Sequence, residues 1–334
     1  MMKAIYPLMM FFLIASMEKV QAKIIEIPQG LVIAKDFSNA QAGSIELVEA
    51  AKAFEKTFGL EAPKGAVIEL GMEKDLPDEM SPTWTLKWDF HAREEIDPER
   101  VKDIRNQILE QLSAAGLEPT DEQVNAALNQ AKKQLATQKE KDKKTKPLRH
   151  EIAHKMFISA LWPTEQNSKL SYGGGAPDWL DETAAVAAES EYLTKQRIDE
   201  FKQMVKTDSV IPMNQFFSME HPVHQAARRI VTEIQGSEQI SDGVYRLSVE
   251  DLEKHGVDLQ DLREGAQFYA QCRALLDYLS MNSNKPFILK QITDHLKAGA
   301  TMAEFFNQHG AALGLAENLP ELEMGLKAMI SNNQ

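Results

Sequence analysis

Cysteine is nearly absent from this chain, basic residues are outnumbered by acidic ones, and only one apolar run is long enough to raise the question of a membrane. The single thiol, Cys272, cannot form an intrachain disulfide, so stability must come from core burial or a metal rather than from disulfides. Standing in an apolar helical stretch, Cys272 reads as packed rather than reactive. Lysine and arginine number 37 against 50 aspartates and glutamates. The resulting formal net charge of −13 argues against a nucleic-acid partner, because phosphate binding draws on clustered cations. The one basic cluster, Lys132 to Arg149, does little to change that.

The apolar run, Ala4 to Met17, is shorter than the roughly twenty residues that a bilayer-spanning helix needs. With Lys3 before it and the small-residue site Val20-Gln21-Ala22 after it, the run reads as a secretory signal cleaved after Ala22. The mature chain then begins at Lys23, is secreted or periplasmic, and has no stable membrane insertion. No cysteine lies near the cleavage point, which excludes a lipid-modified N-terminal cysteine.

The remaining 43% hydrophobic and 26% charged composition is that of a globular protein with a sizeable core. Lys23 to Ile27 and Leu31 to Ala34 are short and β-branched, and are predicted strands. Ile45 to Phe58 carries apolar residues at helical spacing, with Ser44 as an N-cap and Gly59 as the stop. Ala66 to Leu70 and Thr83 to Phe90 are two further predicted strands, the second alternating large apolar with polar residues. From Arg93 the sequence becomes charged and helix-forming. Helices over Pro98 to Ala115 and Thr120 to about Lys144 form a predicted hairpin that ends in a lysine-rich solvated stretch.

Pro147 suits the first turn of the next helix. A loop with Gly173-Gly174-Gly175 leads to a long helix from about Asp178 to Val205. A weakly patterned segment, Gly236 to Asp261, precedes apolar helices near Gly265 to Ser280, Lys285 to Leu296, Thr301 to Gln308 and Leu322 to Ile330. The expected class is α+β and mainly helical. Its parts are a signal peptide (1–22), a small α/β subdomain (23–92), a helical hairpin insertion (93–146) and a helical domain (147–334).

The chemistry concentrates in His150-Glu151-Ile152-Ala153-His154. Residues four apart share a helix face, so His150 and His154 can offer two imidazoles to one metal while Glu151 points at the same space. A catalytic site of this kind needs a third protein ligand and an open position for water. A metzincin would place glycine at 157 and histidine at 160, but Phe157 and Ala160 stand there, and that class is excluded. A gluzincin instead uses a glutamate on a following helix, and for that role Glu182, in Pro177-Asp178-Trp179-Leu180-Asp181-Glu182, is the best candidate. The small Thr183, Ala184 and Ala185 after it would let its helix approach the first closely.

On His150, Glu151 and His154, and on the segment Trp179 to Glu182, the chain resembles the gluzincin, or peptidase MA-like, zinc metallopeptidases. Tyr172-Gly173, Pro177-Asp178-Trp179 and Tyr269-Ala270-Gln271 look like its exported bacterial branch. The resemblance implies a zincin-like fold and one Zn²⁺ per chain on His150, His154 and Glu182. It implies Glu151 as general base and a peptide or protein substrate. It also places a tyrosine-bearing helix after the third-ligand helix, which favours Tyr269 as oxyanion donor; His221, His224 and Tyr172 are the other candidates. Glu189, Asp178 and Asp181 are candidates to orient the histidines, although plain solvation also accounts for them. Trp84, Trp88, Trp162 and Trp179 read as core, with Thr83 to Phe90 as a possible cleft-edge strand. The alternative functions are a non-catalytic zinc or peptide-binding protein on the same scaffold, and a metal-free interaction protein that uses the hairpin.

Overall fold

The computed structural model describes residues 22–77, 79–90, 147–163, 175–222 and 259–331, with a few helical positions between 105 and 130. The expected signal peptide, most of the hairpin insertion, Tyr172, Gly173-Gly174, His224 and nearly all of the segment from Gly236 to Asp261 lie outside the described residues. Within the hairpin, Thr120 and Gln123 cap each other reciprocally ahead of helical residues 123–128. The Thr120 N–H donates to Gln123 Oε1 and the Gln123 N–H to Thr120 Oγ1, as expected of a helix start at Thr120.

Four strands, β1 (Lys23–Ile27), β2 (Gly30–Ala34), β3 (Gly65–Glu69) and β4 (Trp84–Trp88), form a mixed sheet in the order β1-β2-β3-β4. The first pair is antiparallel and the next two are parallel. The inner strands β2 and β3 are almost wholly buried, which matches sequences that are apolar except for Glu69 at the end of β3. Strand β4 alternates buried and exposed residues along its first four positions, as an edge strand does. On one face Leu31, Ile33, Ala66 and Ile68 pack with Met72. On the other, Val32, Ala34, Val67, Trp84 and Leu86 join the main core.

Helix α1 (Phe37–Phe58) covers that second face. It begins two turns before the expected start at Ser44, because Asp36 is the cap and its carboxylate accepts the Asn39 N–H at 2.8 Å. The first turns escaped the periodicity reading because Phe37 and Ile45 are exposed while the small Ala40 and Gly43 are buried. A Cβ on Gly43 would come within 2.8 Å of both Phe90 and Val32, so glycine lets α1 lie close on the sheet. Gly59 ends the helix with φ +68°, as expected. Replacing Asp36 by alanine is expected to cost about 1 kcal/mol, the usual loss of an N-cap. Chemical denaturation would show this as a lower midpoint with an unchanged slope.

The described helices that follow are α2 (Leu148–Leu161), α3 (Asp178–Ala188), α4 (Glu191–Lys206), the single turn α5 (Met213–Phe216), α6 (Leu259–Asn282), α7 (Ile288–Lys297), α8 (Met302–Leu313) and α9 (Leu319–Ser331). The predicted long helix from Asp178 to Val205 is in fact two. Glu189 takes an extended conformation, and Ser190 caps α4 by accepting the Leu193 N–H. A serine that can satisfy a helix start competes with continuing the helix through it.

One apolar core runs from the sheet and α1 through α2 and α3 to the C-terminal helices. Phe157 of α2 lies against Phe58 of α1, with ring centroids 5.6 Å apart, and Arg149 donates to Glu46 of α1 at 2.7 Å. Ala153 of α2 packs on Ala185 and Ala188 of α3. These alanines bring the two helices to the close approach that the sequence suggested.

Candidate metal centre

Helix α2 starts at Pro147, whose carbonyl accepts the Glu151 N–H at 2.9 Å. Its apolar residues Ile152, Met156 and Phe157 are buried in the core. His150 and His154, one turn apart, are buried too, at 4% and 5% exposure, and face α3. Helix α3 is anchored by the fully buried Trp179 and Leu180, and the next turn delivers Glu182 at 1% exposure. Two helices, each held by its own apolar stripe, thus bring together three polar groups that their local sequence alone would leave in water.

The convergence is tight. His150 Nε2 lies 3.1 Å from His154 Nε2 and 3.2 Å from Glu182 Oε2, and His154 Nε2 lies 3.5 Å from Glu182 Oε2. Ligands about 2.0–2.2 Å from a tetrahedral zinc are separated from each other by about 3.3 Å, so the triangle has the size of one face of such a site. Among the described residues this is the only group of three donors spaced to share a metal ion.

The outer ring nitrogens explain why the inner ones face inward. His154 Nδ1 donates to Asp181 Oδ1 at 2.7 Å, and a carboxylate only accepts, which places that proton on Nδ1. His150 Nδ1 makes an ion-pair contact of 3.2 Å with Glu189 Oε1. With both Nδ1 atoms turned to carboxylates, two imidazole lone pairs and one carboxylate oxygen face each other in a buried space. Contacts this short between such atoms are favourable only with a proton or a metal ion between them.

The field of the site favours positive charge. Burial by itself would lower the pKa of His150, but its contacts with Glu182 and Glu189 raise it to about 9. Burial likewise opposes charge on His154, and the carboxylates of Asp181 and Glu182 overcome it and hold the imidazole well above its ordinary range. Burial would raise Glu182, but the two histidines hold it well below the usual carboxylate range.

Of the other candidates, Glu151 is half-buried on α2, and its charge acts on the phenol of Tyr269. Tyr269, on α6, is brought to the centre: its ring centroid lies 5.6 Å from that of His150 and 4.7 Å from that of His221. Burial, and then the charges of Glu182 and Glu151, push its pKa well up, so the phenol keeps its proton. His221 is fully buried, with Nε2 4.0 Å from Glu182 Oε1 and its ring 4.9 Å from Phe268. Asp178 does not orient either ligand. Its carboxylate accepts the backbone N–H of His221 at 2.7 Å and so fixes the chain at that point.

Glu189 does face His150, but not because it continues a helical face from Glu182. The helix has ended there, and the turn directs its carboxylate back to α2. Arg197 was not among the expected residues. It donates to both Glu189 oxygens, Nη2 at 2.9 Å and Nε at 3.3 Å, and its guanidinium lies 4.5 Å from the centre of the Tyr269 ring. The available signal was Ser190 as a helix start, which would have placed an arginine in the second turn of a new helix. Comparison with family models, with curated proteins and with solved structures finds no match for this chain.

Proposed function

We propose that the protein is an exported zinc metallopeptidase of the gluzincin, peptidase MA-like type, hydrolysing peptide bonds in peptide or protein substrates. The observation that carries this reading is the buried triangle of His150 Nε2, His154 Nε2 and Glu182 Oε2, with Glu151 in the same helical turn. Two imidazoles and one carboxylate suit zinc better than calcium or magnesium, which prefer all-oxygen shells. Three protein ligands leave a fourth position for water, as a catalytic site requires. A small mixed sheet against the helix that bears both histidines supports a zincin-like arrangement, and the pattern of Lys3, the apolar run Ala4 to Met17 and Val20-Gln21-Ala22 supports export.

Bound here, Zn²⁺ would supply Lewis acidity, lowering the pKa of a water to about 7 and polarising a carbonyl. The chain supplies the rest. Glu151 accepts the proton of the attacking water and returns it to the departing amine nitrogen as the C–N bond breaks. Asp181 accepts the His154 Nδ1–H and keeps that imidazole with Nε2 inward, and Glu189, 3.2 Å from His150 Nδ1, holds its charge against the outer side of the other ring. Tyr269, held protonated, can donate to the oxygen that gains charge as the carbonyl becomes tetrahedral.

The direct test uses the mature chain from Lys23, assayed for metal content and for cleavage of a mixed peptide library read by mass spectrometry. The expected result is stoichiometric zinc and new termini that vanish on chelation and return with added zinc. Bound zinc without cleavage of any peptide would point instead to a zinc or peptide-binding protein on the same scaffold. Protein that takes up no metal would overturn the reading.

A further inference from the structure

The two candidate histidine ligands are oriented by different means. His154 leans on Asp181, the residue immediately before Glu182, so its orienter and the third ligand come from one turn of α3. His150 leans on Glu189, which stands outside α3 in the break before Ser190 and has no helical geometry to hold it. Its carboxylate is nevertheless fully buried, at 0% side-chain exposure. A buried carboxylate free to turn would not keep one imidazole in one tautomer.

What fixes Glu189 is Arg197, in the second turn of α4. The guanidinium binds both carboxylate oxygens from a mostly buried position, with 21% of its side chain exposed. Two-point, charge-assisted contacts of this kind set orientation as well as distance, and lysine cannot reproduce them. The same guanidinium packs on the Tyr269 ring, and that ring lies in a T-shaped arrangement with His150, centroids 5.6 Å apart. The nearby pair Lys195 and Asp199 on α4 offers a contrast. Both are more than half exposed, and such pairs contribute little.

Resting on the metal reading above, we propose that Arg197 is a positioning residue for the centre: through Glu189 it fixes His150, and through its face it fixes Tyr269, so that α4 and α6 set the geometry of a ligand on α2. Arg197 touches neither the metal position nor any reacting atom. Its effect must therefore show in how the metal is held, before any turnover.

The test compares the mature wild-type chain with Arg197→Met, Arg197→Lys and the control Lys195→Met. Zinc affinity is measured by competition with a chromogenic chelator, and ligand geometry by the visible absorption of the Co²⁺-loaded protein. Arg197→Met is expected to bind zinc about 10–100-fold more weakly and to shift the Co²⁺ bands. Arg197→Lys should fall between it and the wild type, and Lys195→Met should match the wild type. Wild-type affinity and bands in a folded Arg197→Met would overturn the proposal alone. If Arg197→Met fails to fold, Arg197→Lys decides: shifted bands support the proposal and unshifted bands overturn it. A wild-type chain that takes up neither Co²⁺ nor zinc would overturn the metal reading itself, and this proposal with it.

Discussion

Glu151→Gln is expected to lower peptide hydrolysis by about 10²–10⁴-fold while leaving the metal in place, the usual range for the loss of a general base. The amide has nearly the shape of the carboxylate but cannot accept a proton from water. Glu151 contributes no atom to the triangle of donors, so metal affinity should stay within a few-fold of wild type. The helix should persist as well, because the backbone N–H at this position still donates to the Pro147 carbonyl and the side chain is only half-buried. The measurement is kcat/KM on whichever peptide the wild type cuts, beside metal content and circular dichroism of the same preparation. A fully active Glu151→Gln protein would sink the mechanism, and loss of metal from it would show that Glu151 has been given the wrong role.

The second large effect is expected at Glu182. Its replacement by alanine removes the only anionic donor of the triangle and leaves two imidazoles, too few for a stable tetrahedral site. Zinc should be lost at concentrations that saturate the wild type, a larger effect than the roughly 10–100-fold that follows loss of an outer-sphere partner. The fold should suffer less. A permanently charged partner left alone in the interior would cost about 3–5 kcal/mol. Imidazoles avoid most of that by shedding their protons, since an unperturbed histidine titrates near 6.5.

This escape has a pH dependence that can be measured on chelated protein. With Glu182 present, the folded pKa of His150 is raised to about 9, above its unfolded value. The stability it contributes is therefore fully present below about pH 6.5 and is lost as pH rises through about 9. In Glu182→Ala the part of that contribution supplied by Glu182 is missing while the part from Glu189 remains, so the destabilisation relative to wild type should be largest in mild acid and should shrink toward pH 9 and above. Denaturation midpoints across that range would show it. A deficit that grew with pH would contradict the assignment of Glu182 as the charge partner of the histidines.

Much of the centre was legible locally because it is written in short periods. A spacing of four on a helix puts His150 and His154 on one face whatever surrounds them. The apolar pattern around them buries that helix, and the small residues after Glu182 allow the close approach seen between Ala153, Ala185 and Ala188. The strands were found to within two residues at each end, because inner strands are mostly apolar and the edge strand alternates.

What escaped the linear reading depends on competition or on distance. The true start of α1 is set by Asp36 rather than Ser44, and the choice between two polar residues that can both cap turns on what the next two turns pack against. Helix periodicity carried Glu189 onto the face of Glu182 and gave Arg197 no role. In the folded chain Ser190 breaks the helix, so Glu189 reaches His150 from the turn and Arg197 reaches Glu189 from the next helix. Asp178 was a plausible partner for a histidine ring but holds the backbone of His221 instead.

The sequence by itself therefore determined which residues can bind a metal, because ligand type and helical spacing are local properties. It also determined where the two helices that carry them begin, because the apolar pattern and the start signals Pro147 and Asp178 are local. Only the tertiary structure decided how the ligands are aimed. Each imidazole has a carboxylate placed against its far nitrogen. For His150 that carboxylate is held by a guanidinium from a separate helix, a long-range contact that no local period encodes.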